Sequence, residues 1–335
     1  MKLTQIKLAI GTAYGRNSKA IAEGRVAGAQ TLSGCGAVYM GAIFLKKFWP
    51  GKELAIYTTT PTWPIHNTLL KVNGIKNLEM PYYDPKTKGL DFQRMMDCIE
   101  KAPERSVFML HSCAHNPTGV DPTPEQWKQI GQAFKKKNHF SFFDMAYQGF
   151  ASGDLERDNL TLRLWEELGL EFCVAQSFAK SMGMYGHRLG AFSIVCENAA
   201  EARQAESQLA TIARNTWSSP PRYGSDVAKH VLSDPQLYQQ WLKDLKTMAN
   251  RIQNMRQSLV KELKAVGNPH KWNHITDQIG MFAYTGIPEP ACQELMNKHA
   301  VFLTMNGRIS VAGLNEKNVQ YVAKAFDTVT RNIKF

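Results

Sequence analysis

Lys180 stands in a loop of small residues, Ser177-Phe178-Ala179-Lys180-Ser181-Met182-Gly183. An apolar run from Glu171 to Ala175 precedes it and reads as a buried strand. A hydroxyl lies three positions before the lysine and an arginine eight positions after it. An amine that is unpaired, partly desolvated and close to a carbonyl forms a Schiff base. Ser177 and Arg188 could hold a phosphate beside it. A surface lysine after a strand is the plain alternative, so the case for Lys180 depends on what else the chain brings near it.

Four other stretches carry residue types suited to the same chemistry. Ser33-Gly34-Cys35-Gly36 opens an apolar helix, and backbone N–H groups at a helix start can face an anion. Many helices begin this way without binding one. Asn116, in His115-Asn116-Pro117-Thr118-Gly119, follows a strand. It could point an amide at a cofactor oxygen, or simply form a turn. Asp144 ends the apolar run Phe140-Ser141-Phe142-Phe143. A carboxylate there is costly to bury unless paired. It could pair with a protonated ring nitrogen, with Tyr147 reaching a ring hydroxyl, or it could cap a helix. Thr60-Pro61-Thr62-Trp63 could lay an indole over a flat ring, although core packing is the commoner use of Trp. Arg308, on a late strand, and Arg214, at a helix end, are candidates for bidentate carboxylate recognition. A surface salt bridge is the alternative for each.

The elements that must position these residues alternate. Strands are expected near 54–58, 78–83, 107–111, 139–144, 172–176 and 191–196. Helices are expected near 37–48, 66–72, 91–101, 124–137 and 161–168. Residues 1–32 read as helix and loop. This alternation implies an α/β fold with a mainly parallel sheet covered on both faces. Function in such sheets gathers at the C-terminal strand ends, where Trp63, His66, His115, Asn116, Asp144, Tyr147 and Lys180 fall. Helices then follow at 198–214 and 225–232, and a run of helical spacing extends over about 235–266 as one connector or two shorter helices. A small α/β piece ends the chain, with strands near 280–284 and 308–311 and a helix near 316–328. The expected division is a large domain over 1–240 and a smaller one over 241–335.

The chain has 335 residues, 44% hydrophobic and 21% charged, which is ordinary for a globular protein. Its apolar runs are too short for a membrane-spanning helix. The formal net charge is +11, but the basic residues are scattered. The densest run, Lys135-Lys136-Lys137, sits where a helix end favours positive charge, so nucleic acid is not an expected partner. Six cysteines without CxxC spacing read as buried free thiols, with neither a metal site nor a disulfide frame. The first 22 residues include Lys2, Lys7, Arg16 and Lys19 and lack acids. That fits the remnant of a mitochondrial transit peptide or a plain basic helix.

Taken together, the motifs Gln30-Thr31-Leu32-Ser33-Gly34-Cys35-Gly36, Pro61-Thr62-Trp63, His111 to Pro122, Phe143-Asp144-Met145-Ala146-Tyr147, Gln176-Ser177-Phe178-Ala179-Lys180, Gly280-Met281-Phe282 and Gly307-Arg308-Ile309-Ser310 resemble the aspartate aminotransferases. These belong to the pyridoxal-phosphate-dependent fold-type I group. The resemblance covers nearly the whole chain, and the wording is similar to mitochondrial members. It implies pyridoxal 5′-phosphate as cofactor, a homodimer with shared active sites, and amino transfer between L-aspartate and 2-oxoglutarate, giving oxaloacetate and L-glutamate. The mitochondrial matrix is the implied location, with the cytoplasm as the alternative. Residue by residue, it makes Lys180 the Schiff-base lysine and proton carrier. Asp144 becomes the partner of the ring nitrogen, supported from behind by His66. Tyr147 and Asn116 become partners of the ring oxygen, and Trp63 the stacking residue. Ser33, Gly34, Cys35, Ser177 and Arg188 form the phosphate cradle. Arg308 clamps the substrate α-carboxylate, and Arg214 of the neighbouring subunit clamps the side-chain carboxylate.

The sequence also departs from the family pattern. Cys35 replaces a usual Thr, Pro64-Ile65 a usual Gly-Asn, His187 a usual Glu and Ser219 a usual Asn. Pro64 fixes φ and removes an N–H, so a shift of that loop is expected. Set against the family, the chain is expected to begin several dozen residues late. An N-terminal arm and a phosphate-binding tyrosine from the neighbouring subunit lack counterparts, and Tyr14 does not fall at the tyrosine's position. The rival reading is therefore a weakened or inactive paralogue that acts by binding or heterodimerising. A nicotinamide dehydrogenase is disfavoured because GxGxxG does not follow the first strand.

Overall fold

The computed structural model describes residues 3–15, 17–50 and 53–333. Lys2 and Arg16 of the basic N-terminal stretch lie outside them. In chain order the strands are β1 (Val26–Leu32), β2 (Ala55–Thr60), β3 (Lys76–Pro81), β4 (Tyr83–Asp84), β5 (Gly89–Leu90), β6 (Val107–His111), β7 (Phe140–Met145), β8 (Phe172–Ser177), β9 (Leu189–Val195), β10 (Phe282–Tyr284) and β11 (Arg308–Ser310). Seven form one sheet in the order β1-β9-β8-β7-β6-β2-β3. Its β3, β2, β6, β7 and β8 run parallel, and β9 runs antiparallel to both β8 and β1. The central strands β6 to β9 are buried along their whole length, as continuous apolar runs in a sheet covered on both faces should be.

The expected α/β architecture is present, with one correction. Residues 26–32, within the stretch expected as helix and loop, are a strand. Gly28, Ala27 and Ala29 are weak strand formers, so pairing with β9 rather than local propensity makes β1. The space there is tight: a Cβ on Gly28 would come within 2.7 Å of Ile10. The run over 235–266 is a single helix of 31 residues, Pro235–Ala265, capped by Asp234 and with Pro in its first turn. Trp241, Leu245, Ile252, Met255 and Leu259 are buried along it, whereas Leu237 and Met248, expected on the same stripe, lie on its flank and are exposed. The structure adds a helix, Glu289–His299, that the sequence reading did not assign.

Where local signals were strong, boundaries match. The helix Pro124–Lys137 begins with a capping box between Thr123 and Gln126. It ends with Asn138 in the left-handed region, and its last turn holds Lys135, Lys136 and Lys137. The helix Leu3–Tyr14 buries Ile6 and Ile10, as a plain amphipathic helix would. All six cysteines are free. Four are buried, but Cys35 and Cys98 are half-buried, against expectation. Among the described residues, no helix is long and apolar enough to cross a membrane.

Three apolar clusters hold the layers. On one face of the sheet the helix Ser33–Phe48 packs on Phe142 and Phe192. On the other, Tyr14, Trp127, Phe134, Trp165 and Phe172 pack together. The third joins the Pro235–Ala265 helix to the C-terminal elements and to Tyr147 and Phe150. Gly41 lets the first of these helices approach the sheet: a Cβ there would meet Phe142 at 2.3 Å and Phe192 at 2.6 Å. Ala is a better helix former than Gly by about 1 kcal/mol. Gly41→Ala is nonetheless expected to destabilise the protein by about 1–3 kcal/mol through overpacking. The shift in denaturant midpoint measures this, and an unchanged or raised midpoint would contradict the packing described.

Candidate active site

The strand ends place the candidate residues along one edge of the sheet. β8 ends at Ser177, and Lys180 follows in a turn closed by Gly183 N–H donating to Lys180 O at 3.0 Å. Gly183 has φ +63, which suits glycine. Trp241 anchors the loop, its Nε1 donating to Ser181 O at 2.8 Å. The Lys180 amine is half-buried, 4.8 Å from the centre of the Tyr147 ring. Burial holds its pKa below the ordinary lysine value, opposed by Asp144 and assisted by Arg188. More of the amine is therefore neutral, the form that attacks a carbonyl.

Asp144 is 4% exposed. Its Oδ2 lies 3.0 Å from His66 Nε2, and His66 Nδ1 lies 2.9 Å from Thr62 Oγ1. An ionised carboxylate only accepts, so Nε2 donates and leaves Nδ1 to Thr62. Burial pushes the Asp144 pKa up, but the His66 hydrogen bond and the nearby His66 and Lys180 outweigh it and hold the carboxyl below its ordinary value. Behind this pair, His111 is buried with neither ring nitrogen hydrogen-bonded. Its ring lies 5.2 Å from that of His66 and 4.5 Å from that of His115. Burial drives the pKa of both His111 and His115 well down. Ligand atoms of His66, His111 and Asp144 lie within 4.8 Å of one another, close enough to hold a metal ion. Cysteine spacing gave no such hint, because these residues come from three separate segments.

The next group forms an anion cradle. β1 runs straight into the helix Ser33–Phe48, and β9 enters from the same edge just after Arg188. Ser33 and Arg188 both take positive φ, 59° and 51°, and Ser33 N–H donates to Arg188 O at 3.0 Å. A left-handed residue leading into a helix makes a concave nest of N–H groups that favours anions. Such backbone is costly for non-glycine residues and tends to mark functional sites. Ser33 Oγ lies 3.1 Å from Ser177 Oγ. A Cβ on Gly34 would come within 3.2 Å of Ser177, and one on Gly190 within 2.6 Å of the Ser33 carbonyl, so both glycines keep the cradle open. Cys35 is half-buried in the first helical turn. The Arg188 guanidinium is exposed and donates to Tyr185 O at 2.9 Å.

The last group gathers around Tyr147, whose ring lies beside Lys180. Asn116 is buried, with Nδ2 3.4 Å from Tyr147 Oη and Oδ1 accepting from Arg308 Nη1 at 2.9 Å. The Arg308 guanidinium carbon lies 4.2 Å above the centre of the Phe282 ring. The carboxylate of Asp121 holds the Asn116 loop, accepting from the N–H groups of Ala114 at 2.6 Å and His115 at 2.8 Å. Burial pushes the Asp121 pKa up to about 6, and that of the Tyr147 phenol upward, with Asp144 adding to the rise. Asp121, His111 and Thr62 drew no role from the sequence. An acid between Val120 and Pro122, or a histidine closing an apolar strand, was the available signal.

Two expected residues remain, one beside this centre and one at an exposed helix end. Trp63 is half-buried at the start of the helix Pro64–Val72, its indole edge-on to His66 at 5.4 Å. Arg214 is exposed near the end of the helix Ala199–Thr216, donating to Ser218 Oγ at 2.6 Å. The loop shift expected from Pro64 is not disruptive. Pro64 takes the first helical position, where an N–H is not needed, and His66 still reaches Asp144.

The donor set therefore combines a half-buried amine, a buried carboxylate held ionised, a paired amide and phenol, and an anion cradle. A flat heteroaromatic ring bearing a carbonyl, a basic nitrogen, an acidic oxygen and a phosphate satisfies all four. Pyridoxal 5′-phosphate has these groups.

Comparisons with known proteins agree. Residues 3–326 match the family Aminotransferase class I and II. The mitochondrial aspartate aminotransferase of Arabidopsis thaliana is 47% identical over 327 residues, covering 98% of this chain and 76% of that protein. Aspartate aminotransferase from the cytoplasm of Saccharomyces cerevisiae superposes with a TM-score of 0.96 at 43% identity, covering 100% of this chain and 82% of that one. The aromatic-amino-acid aminotransferase of Burkholderia pseudomallei, solved covalently bound to pyridoxal phosphate, superposes at 0.94 with 36% identity, covering 97% and 81%. A match over nearly the whole chain in both sequence and structure leads to one conclusion: this chain belongs to the class I and II aminotransferases.

Proposed function

We propose that this chain is a pyridoxal-phosphate-dependent aspartate aminotransferase, passing the amino group of L-aspartate to 2-oxoglutarate and giving oxaloacetate and L-glutamate. The observation that carries the reading is the Lys180 amine 4.8 Å from the Tyr147 ring, whose hydroxyl meets Asn116 of the Arg308–Asn116 pair, and within reach of the charge of the buried Asp144 paired with His66. When bound, the cofactor supplies an electron sink for charge developing at the substrate α-carbon. Ser33, Gly34, Cys35, Ser177 and Arg188 would hold its phosphate, and Asp144 would keep a proton on its ring nitrogen. Tyr147 and Asn116 would bind its ring oxygen, and Trp63 would pack on its ring. Lys180 Nζ takes the proton from the substrate α-carbon and returns it on the other side of the transfer. Arg308 orients the α-carboxylate through a bidentate pair. Oxaloacetate leaves before 2-oxoglutarate enters, since one set of groups serves both.

A dicarboxylic substrate needs a second cation, because truncating one partner of a buried charge pair costs about 3–5 kcal/mol. Arg214 is exposed and directed to Ser218, which suits a residue that completes the site of a second copy in a homodimer. The rival reading, a weakened paralogue, draws part of its support from Pro64-Ile65. That support weakens because His66 keeps its place. The proposed division is a large body over 1–240 and a smaller one over 241–335, joined by the Pro235–Ala265 helix. Limited proteolysis releasing two stable pieces supports it, and uniform digestion counts against it. The mitochondrial matrix is the proposed location, in line with the name of the Arabidopsis relative. Recovery of the protein solely from cytosolic fractions would sink that assignment.

Purified protein mixed with pyridoxal phosphate is expected to turn yellow, and Lys180→Ala to stay unreacted. The attachment rate should rise with pH and level off below the ordinary lysine pKa of about 10.4, because burial lowers that of Lys180. A colourless wild type, or a yellow Lys180→Ala, would overturn the assignment. Arg214→Ala should lower kcat/KM for aspartate about a hundredfold, the equivalent of ~3 kcal/mol, with little change for neutral amino acids. Mixing Arg214→Ala with Lys180→Ala subunits should restore activity, since one hybrid site regains both groups. Inactive hybrids would rule out a role across subunits.

A further inference from the structure

The Arg256 side chain is fully buried in the middle of the Pro235–Ala265 helix, and among the described residues its hydrogen bonds go to carbonyls rather than to an acid. Nη1 donates to Ile275 O at 2.8 Å, and Nη2 donates to Gly280 O at 2.9 Å and to Phe282 O. Nε is left without a partner. Burial lowers its pKa to about 10, so it remains charged at neutral pH. A buried guanidinium is expensive, and three apolar-segment carbonyls are an unusual use for it.

The carbonyls explain the arrangement. β10 has one neighbouring strand, β11. Thr285 N–H donates to Gly307 and Val311 N–H to Met281, so the odd-numbered residues of this segment bond toward β11. Phe282 and Tyr284 therefore turn their backbone groups the other way, to an edge where no strand lies among the described residues. Side chains occupy that edge. Gln278, 1% exposed, accepts from Tyr284 N–H at 2.8 Å and donates to Tyr284 O at 3.0 Å, and Arg256 takes Phe282 O. Together they replace the missing strand, and a planar fork with five donors suits the task as a single ammonium would not.

The braced segment touches the site at both ends. Ile279 N–H donates to Gly119 O at 2.8 Å, tying it to the turn after Asn116. Gly280, at φ +83, passes so close to Ala114 that a Cβ would meet its Cβ at 2.7 Å. Phe282 lies under the Arg308 guanidinium, and Arg308 pairs with Tyr284 across the ladder.

We infer that Arg256 is a positioning residue for substrate binding: by fixing residues 275–282 it sets the spacing between Arg308 and Asn116, and so the affinity for the α-carboxylate shared by all four substrates. This rests on the proposed role of Arg308. Among the described residues, Lys180, Asp144 and the phosphate-cradle residues make no hydrogen bond to the braced segment, which meets the cofactor side of the site through the Phe282 ring, 6.1 Å from that of Tyr147.

The test uses the holoenzyme carrying Arg256→Lys and, as a second variant, Arg256→Gln. KM for both aspartate and 2-oxoglutarate should rise about tenfold, with kcat and the cofactor absorption nearly unchanged. The effect of Phe282→Leu on KM should be less than multiplicative with that of Arg256→Lys, because both act on Arg308. A fall in melting temperature with unchanged KM, or multiplicative effects, would overturn the inference and leave Arg256 purely structural. Arg308→Lys serves as the control. If it leaves KM unchanged, the proposed function fails at Arg308; if it raises KM while the Arg256 variants do not, the positioning role alone fails.

Discussion

A carboxylate buried at the end of an apolar strand is the constraint on which the rest of the site depends. Asp144 closes β7 with almost no contact with water, where an unpaired charge would be prohibitive. His66, held by Thr62, makes the charge tolerable and sets which atoms of the carboxylate remain available to a ligand. The same charge reaches Lys180 and opposes the desolvation that lowers its pKa. The histidines behind, His111 and His115, stay neutral because burial disfavours their charged forms. Those depressed values have a consequence for stability. Both rings take up protons on unfolding at a pH where the folded protein leaves them bare, so their stabilising effect is complete above about 6.5 and is lost progressively as the pH falls below it. Asp144, whose folded pKa is also depressed, adds stability above about 3.9 that disappears under stronger acid.

Topology delivers the remaining groups to this carboxylate. Five parallel strands end at one edge. β9 runs the opposite way, so the residue before it, Arg188, begins at that same edge beside Ser33. The left-handed backbone at both residues builds an anion cradle opposite a lysine that has just left β8. Asn116, from a turn after β6, and Arg308, from the start of β11, are far apart in sequence and are brought together by a segment paired with a strand on one side. Its order depends on side chains, Gln278 and Arg256, doing what a sheet would otherwise do. One wall of the site is thus built from continuous strands and the other from a braced strap.

This difference explains what could be read from the sequence. Strands such as Val107–His111 and helices such as Pro124–Lys137 carried their own signals: apolar runs, a capping box and a terminal lysine cluster. Lys180, Asp144 and Asn116, expected near strand ends, lie after β8, in the last two residues of β7 and in the turn after β6. β1 was missed because alanines and a glycine form a strand there only through pairing with β9. His111 was overlooked because a histidine closing an apolar strand has no spacing signature, and its neighbours His66 and Asp144 lie in other segments. Arg256 was invisible for a related reason. Within an amphipathic helix a buried arginine reads as one more surface charge until its carbonyl partners are located. Arg214 was legible as a carboxylate binder, yet its place in the chain is away from the centre, and a role for it requires a second copy.

Asp144, kept ionised by His66, is proposed to hold a proton on the ring nitrogen of the bound cofactor. The most direct measurement is the nitrogen-15 chemical shift of ring-labelled pyridoxal phosphate on the protein, followed against pH. The account predicts a protonated nitrogen in the wild type at neutral pH and well above the pKa of the free cofactor, and its loss in Asp144→Asn. An unprotonated nitrogen in the wild type at neutral pH, or an unchanged shift in Asp144→Asn, would contradict it.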